Sequence, residues 1–302
     1  MVEILTKAGC FIAIIILGFV LRRVGLFKEN DFRVLSLITL KITLPAAIVV
    51  SFSQMSVDVS MLTISLIALG CGVLYMAIAF IMNLRADKTQ RAFEVLNLPG
   101  YNIGLFAMPF VSGFLGATGG VTTSLFDTGN AFVCLGGSYG VAASINDGSG
   151  FSVKRVLKAL ITSVPFMTYI VMITLNLVGL RLPAPLISLA DTVRGANTFM
   201  AMLMLGVGFK LEANKTQVIQ IIKIVLIRYS VAAGLACVFY FLLPFELEIR
   251  QTLVLLAFSP IGAAVPAFTA EMKGDFGLSS AINSICILCS IVFMTLLMLI
   301  ML

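Results

Sequence analysis

Residues 98–120 read LPGYNIGLFAMPFVSGFLGATGG. The stretch is apolar enough for a bilayer. Yet Pro99, Gly100, Asn102, Gly104 and Pro109 fall where a membrane-spanning helix would run unbroken. Proline removes a backbone donor and clashes with the preceding turn, and glycine loosens the helix. In hydrocarbon, the N–H and C=O groups freed by a break must be satisfied by other protein groups, water or a ligand. A break in mid-membrane is therefore a candidate binding site. A second stretch of the same kind, SPIGAAVPAFTAEMKGDFG, occupies residues 259–277.

The rest of the chain supplies the membrane context. Its 302 residues are 60% hydrophobic and only 11% charged, where a soluble domain carries about 25% charged residues. Mean hydropathy is +1.10. The composition predicts an all-α polytopic membrane protein. Segments of about 20 apolar residues are long enough to span, and ten approach that length: 4–21, 32–52, 59–82, 92–115, 121–145, 156–180, 186–209, 218–243, 251–272 and 278–302. The polar loop NDGSGFSVKR lies near the midpoint. It divides the chain into a first five-helix repeat (1–145), a cytoplasmic linker (146–155) and a second repeat (156–302). Glu3 and Lys7 precede an apolar run without a cleavage pattern, so the first segment reads as a retained span. The last apolar run reaches Leu302, which leaves no tail domain in this reading.

Lysine and arginine orient the chain. Loops after the odd-numbered segments hold thirteen of them and the opposite side three, Lys7, Arg181 and Arg250. The odd loops are therefore expected in the cytoplasm and both termini outside. Several chemistries are disfavoured. The absence of histidine removes His-based metal sites and general bases. No HExxH, GxSxG or paired catalytic carboxylates appear, so an enzyme is not expected. No basic cluster is interleaved with aromatics, so nucleic acid is not an expected partner. The six cysteines lie in apolar runs and read as small buried hydrophobes. Cys286 and Cys289 form a CxxC without the strand–helix context of a redox motif. No cofactor is expected.

The two interrupted segments are the fourth and the ninth. Aligning Pro109 with Pro266 also places Asn102 on Ser259 and Gly120 on Gly277. A repeat with an odd number of spans inserts its second copy upside down. Interrupted spans in corresponding positions of two halves point to a secondary-transporter site. If the two breaks cross, the second half-helices begin there and present unsatisfied N–H groups and partial positive charge, which suits an anion. The first halves end there and offer carbonyls to a cation or to water.

At these residues the chain resembles the auxin efflux carrier family, in its compact bacterial branch. GFVLRRVGLFKENDFRVLSLITLKITLPAAIVVSF is similar to that family's first loop and second helix, and NIGLFAMPFVSGFLGATGG to its fourth. VLKALITSVPF and GLRLPAPL resemble its sixth helix and the following turn, and SPIGAAVPAFTAEMKGDFGLSSA its ninth. The resemblance implies ten helices in two inverted five-helix repeats. Helices 4 and 9 would cross, as in sodium–proton antiporters and bile-acid transporters, with a scaffold domain and a transport domain each drawn from both repeats. It implies transport of an organic anion, such as malonate, malate or an auxin-like carboxylate, across a bacterial cytoplasmic membrane. Carried over, the crossover positions are Asn102 and Pro109 in one repeat and Pro260 and Pro266 in the other. Lys41 matches a lysine of plant members.

Side-chain chemistry ranks the candidates. The amide of Asn102 can both bind a carboxylate and cap a broken helix, and Ser259 is its candidate mate. Gly104 and Gly262 permit close backbone approach at the site. Lys41, Asp127, Asn130 and Arg228 are the candidates for coupling or charge balance. A charge at the depth of Lys41 costs roughly 2.5–3.5 kcal/mol on insertion scales, so Lys41 should face a cavity or a partner. Asp127 reads either as a proton carrier or as an ion-pair partner of Lys41 or Arg228. Arg228 reads as a structural ion pair or snorkelled side chain ahead of a substrate ligand. Arg194 is expected to pair with Asp191 one turn away. The leading function is a secondary transporter of a small carboxylate working by alternating access, with coupling to H⁺ or Na⁺ open. The alternative is a cation/proton antiporter of related fold. Oligomeric state, including a homodimer, is left open.

Overall fold

The computed structural model describes residues 2–28, 31–148, 151–210 and 214–301. Ser149 and Gly150 of the expected linker, Glu29 and Asn30 of the first loop, and Leu302 lie outside the described residues. Every regular element among the described residues is helical.

Five helical stretches are long and apolar enough to cross a membrane: Val2–Arg23, Asp31–Ser53, Val59–Met82, Lys215–Phe241 and Phe276–Met301. The first is α1 (Val2–Arg23). The second joins α2 (Asp31–Ile38) to α3 (Leu44–Ser53) through a π-turn, Thr39–Thr43. The third is a 3₁₀ turn, Val59–Leu62, running into α4 (Thr63–Met82). The other expected spans are built from shorter helices. The fourth comprises α5 (Lys88–Asn97), a non-helical stretch, a π-turn at Ile103–Ala107 and α6 (Met108–Ser112). The fifth comprises α7 (Gly116–Phe132), a π-turn and α8 (Ser138–Asp147).

In the second half, α9 (Val153–Thr162) and α10 (Val164–Leu177) meet at 76°. The expected span over 156–180 is thus a bent pair of helices. Pro165 lies in the first turn of α10, and Ser163 is extended and accepts the Phe166 N–H, so the chain starts a new helix there. The pair brings the stretches that can cross to six. α11 (Ala184–Arg194) and α12 (Asn197–Val207) follow, then α13 (Lys215–Phe241). α14 (Leu247–Ala257) and α15 (Val265–Glu271) flank the second break, and α16 (Phe276–Met301) closes the described chain.

Two of the π-turns have one cause. Leu44 N–H bonds back five residues to Thr39, and Met108 N–H to Ile103. In each case a proline follows at once, Pro45 or Pro109. A proline ring clashes with the carbonyl four residues earlier and has no N–H to give it, so the preceding turn widens. Pro109 therefore bends the fourth segment without breaking it. The break itself lies at Leu98–Asn102, around Pro99 and Gly100.

The helices pack in two groups. α1 lies against α12, and α2 and α3 against α10, α11 and α12. α4 and α14 lie against α7, α5 against α8, and α13 and α15 against α16. Contacts of α3 with α7 join the groups. Small residues permit the close approaches. A Cβ on Gly18 would strike the Leu203 carbonyl, one on Gly206 the Ile15 carbonyl, and one on Gly129 the Ser65 carbonyl. The outward surface carries Leu5, Leu66, Ile81, Ile219, Leu226 and Val292, all exposed, as lipid contact requires.

Gly206→Val should therefore lower stability by roughly 1–3 kcal/mol through overpacking. Gly9→Val on α1, with open space around its Cβ, should leave it near wild type. Scanning fluorimetry in detergent measures both.

Candidate functional site

The two breaks touch. The Asn102 N–H donates to the Pro260 carbonyl at 2.8 Å. Gly100 adopts φ +75°, and a Cβ there would meet the Cys134 sulfur, so only glycine fits comfortably. Asn130 on α7 takes the place of a backbone partner for Tyr101. Its Oδ1 accepts the Tyr101 N–H and its Nδ2 donates to the Tyr101 carbonyl, both at 2.9 Å. On the other break, Ser290 donates to the Phe258 carbonyl at 2.6 Å and Asn283 to the Gly262 carbonyl at 3.3 Å.

Arg228 of α13 joins the breaks. Its side chain is fully buried. It donates to the carbonyls of Leu98 (2.6 Å), Gly100 (2.9 Å) and Ser259 (2.7 Å). The rings of Tyr75 and Tyr101 lie 5.4 Å and 5.1 Å from its guanidinium carbon. Neither an ion pair nor snorkelling describes it. Its partners are main-chain carbonyls, and among the described residues the ion pairs do not include it.

Beside the crossing is a cavity of about 260 Å³. Asn102, Gly104, Asp127, Asn130, Cys134, Tyr169 and Gly262 line it, with apolar side chains from α2, α3 and the α9–α10 bend. Asp127 is the one charged residue in its wall. Its carboxylate accepts from the Tyr169 hydroxyl at 2.8 Å and from Asn130 Nδ2 at 2.9 Å. It pairs with neither Lys41 nor Arg228. The Asn102 side chain is 3% exposed and its Nδ2 has no partner. The buried hydroxyls of Ser259 and Tyr101 are also unpartnered. The first turn after Asn102 leaves its leading N–H groups without helical acceptors. Asn102 and Tyr101, each with an unpartnered polar atom, thus stand in the wall of a small, largely apolar chamber, the usual form of a ligand site.

The expected site residues separate into groups. Asn102, Gly104, Gly262, Asp127 and Asn130 share the cavity. Ser259 and Pro260 belong to the crossing and do not line it. Pro109 is buried in α6. Pro266 lines a second cavity, also about 260 Å³, with Arg22, Lys210 and Asn283. Pro266 stands in the first turn of the helix after its break, whereas Pro109 follows a full π-turn, so the two prolines are not in equivalent places. Asn102 and Ser259 are not equivalent: Asn102 precedes the π-turn, whereas Ser259 follows the last turn of α14. Lys41 is placed otherwise than expected. It is exposed on the π-turn, away from the cavity that its neighbours Leu40 and Leu44 line. Arg194 pairs with Asp191 at 2.7 Å, as expected.

Tyr169 and Cys134 are not among the expected residues. Nor is Glu94, which is 3% exposed and bonded to Lys223 at 2.6 Å and to Asn83 at 2.7 Å. Charged residues at 94 and 223 in otherwise apolar runs are the signal that could have found that pair. At the membrane edge, Asp58 accepts the Ser60 N–H, and that bond holds its carboxyl below the usual range.

Cys134 gives direct access to the chamber. With the other five cysteines replaced, a small methanethiosulfonate should modify Cys134 in the folded protein. Absence of modification would mean the cavity is closed to water from both sides.

Among known families, the one described as membrane transport protein, the auxin efflux carrier family, matches residues 7–144. The match contains the first break, Asn102, Asp127 and Asn130, and it indicates a membrane transporter. No curated protein matches the chain.

Proposed function

We propose that this membrane transport protein, matched to the auxin efflux carriers over residues 7–144, is a secondary carrier of a small organic anion. Malonate, malate and an auxin-like carboxylate are the substrates we would try first. The observation that carries the proposal is buried Asn102, a residue of the cavity wall at the mouth of a half-helix, whose Nδ2 has no partner. An amide donor and free backbone N–H groups favour a carboxylate there, and the partial positive charge of the helix start adds to them. The ten-span count, the inverted repeats, the bacterial inner-membrane location and the outside termini belong to the same proposal. So does alternating access. In it, the group of α1, α2, α3, α10, α11 and α12 serves as scaffold and the group around the breaks moves.

Asp127 gives the carrier a coupling group. An anion entering a chamber that already holds a carboxylate meets like-charge repulsion, which protonation of one of them removes. Tyr169, Asn130 and Cys134 are its polar neighbours, and no lysine or arginine lines the chamber. Proton symport follows: Asp127 takes a proton, the anion binds, and both cross together. Uptake should then rise as the external pH falls. The alternative, a cation/proton antiporter, rests on the same carboxylate, and a pH-jump assay with sodium or potassium tests it.

Proteoliposomes loaded with labelled dicarboxylates or indole-acetate test the proposal. Asn102→Ala should lower kcat/KM at least about tenfold, the scale of one lost hydrogen bond to a charged group. Wild-type rates would remove Asn102 from the site. Asp127→Asn should flatten the pH profile. A profile unchanged by that substitution would assign coupling elsewhere.

A further inference from the structure

The crossing has two electrostatic ends. At one, the π-turn after Asn102 and α15 begin beside the cavity, where leading N–H groups lack helical acceptors. At the other, α5 and α14 end and leave carbonyls without helical donors. Two converging helix C-termini make a negative place, which favours a cation. Arg228 already stands in it. Its guanidinium holds Leu98 and Gly100 of one break and Ser259 of the other, all within 2.9 Å. Tyr75 fixes the arginine from behind, its hydroxyl donating to the Arg228 carbonyl at 2.9 Å. The rings of Tyr75 and Tyr101 flank the charge.

We infer that Arg228 is the resident cation of the crossing: it fills the carbonyl position a sodium ion would otherwise take, and the protein needs no sodium there. An arginine alone among the side chains presents a planar fork of several donors. Three carbonyls from two breaks therefore stay in one arrangement while the opposite end remains free for an anion. A buried charge without a carboxylate is expensive, and here main-chain dipoles replace the carboxylate. Arg228 is thus a positioning residue. It sets the crossing and supplies fixed positive charge, but it does not line the chamber. The inference bears on the coupling ion of the carrier proposed above and rests on that reading only where uptake is measured.

The first test needs no substrate. The melting temperature of the purified wild-type chain should be the same in sodium chloride and choline chloride at equal ionic strength. A saturable rise specific to sodium would overturn the inference. In Arg228→Ala the vacated carbonyls should take a free cation. Its lowered melting temperature should climb saturably with millimolar guanidinium chloride, which gives wild type no such rise. A folded variant indifferent to guanidinium would overturn the inference. If Arg228→Ala yields no folded protein, the uptake arm decides. Wild-type carboxylate uptake should be equal in sodium and choline, and a loss of about tenfold or more in choline would overturn the inference. Absence of any carboxylate uptake contradicts the proposed function instead and leaves the melting measurements to judge Arg228.

Discussion

One buried guanidinium bound to three carbonyls holds this molecule's centre together. Two helices broken in a bilayer would otherwise leave unsatisfied backbone groups, each costing several kcal/mol in hydrocarbon. Arg228 answers the carbonyl side, with Leu98, Gly100 and Ser259 as acceptors. The Asn102 to Pro260 bond joins the two backbones directly. Asn130 imitates a strand neighbour for Tyr101. Beside the cavity, the amide of Asn102 keeps an Nδ2 without a partner. The crossing thus sorts its polar groups, with the cation-favouring end occupied from within and the anion-favouring end open.

The prolines act at two levels. Pro45 and Pro109 widen the preceding turn into a π-turn and keep the helix going. Pro99, beside Gly100 at positive φ, ends it. Pro165 changes the helix direction by 76° and brings Tyr169 and Phe166 to the cavity wall. The same residue type gives different outcomes because the neighbours differ. A glycine after Pro99 that can enter the left-handed region lets the chain leave the helix, whereas the alanine after Pro45 and the phenylalanine after Pro109 keep it helical.

Much of this is legible in the sequence, and the rest is hidden for physical reasons. Breaks in the fourth and ninth segments follow from Pro99, Gly100 and the SPIGAAVP run, and the structure places them in contact. Asn102, Gly104, Gly262, Asp127 and Asn130 stand out in the sequence and share one cavity. The role of Arg228 is not legible, because its partners are carbonyls, which every residue possesses and no sequence marks. Lys41 looks functional from depth alone. A one-residue shift in helical facing is invisible to depth, and the π-turn alters that facing. Tyr169 escapes notice because nothing in an apolar helix announces which tyrosine will turn inward. Residues 7–144, where the family match lies, hold one break and the chamber's carboxylate, while Arg228 and the second break come from the other half.

The central claim is that the chamber at the crossing binds a carboxylate through Asn102. A structure of the protein with a bromine-bearing carboxylate tests it most directly. The expected result is bromine density in the cavity beside Gly104 and Gly262, with a carboxylate oxygen within hydrogen-bond reach of Asn102 Nδ2. Bromine density in another cavity, with Asn102 Nδ2 still unpartnered, would contradict it.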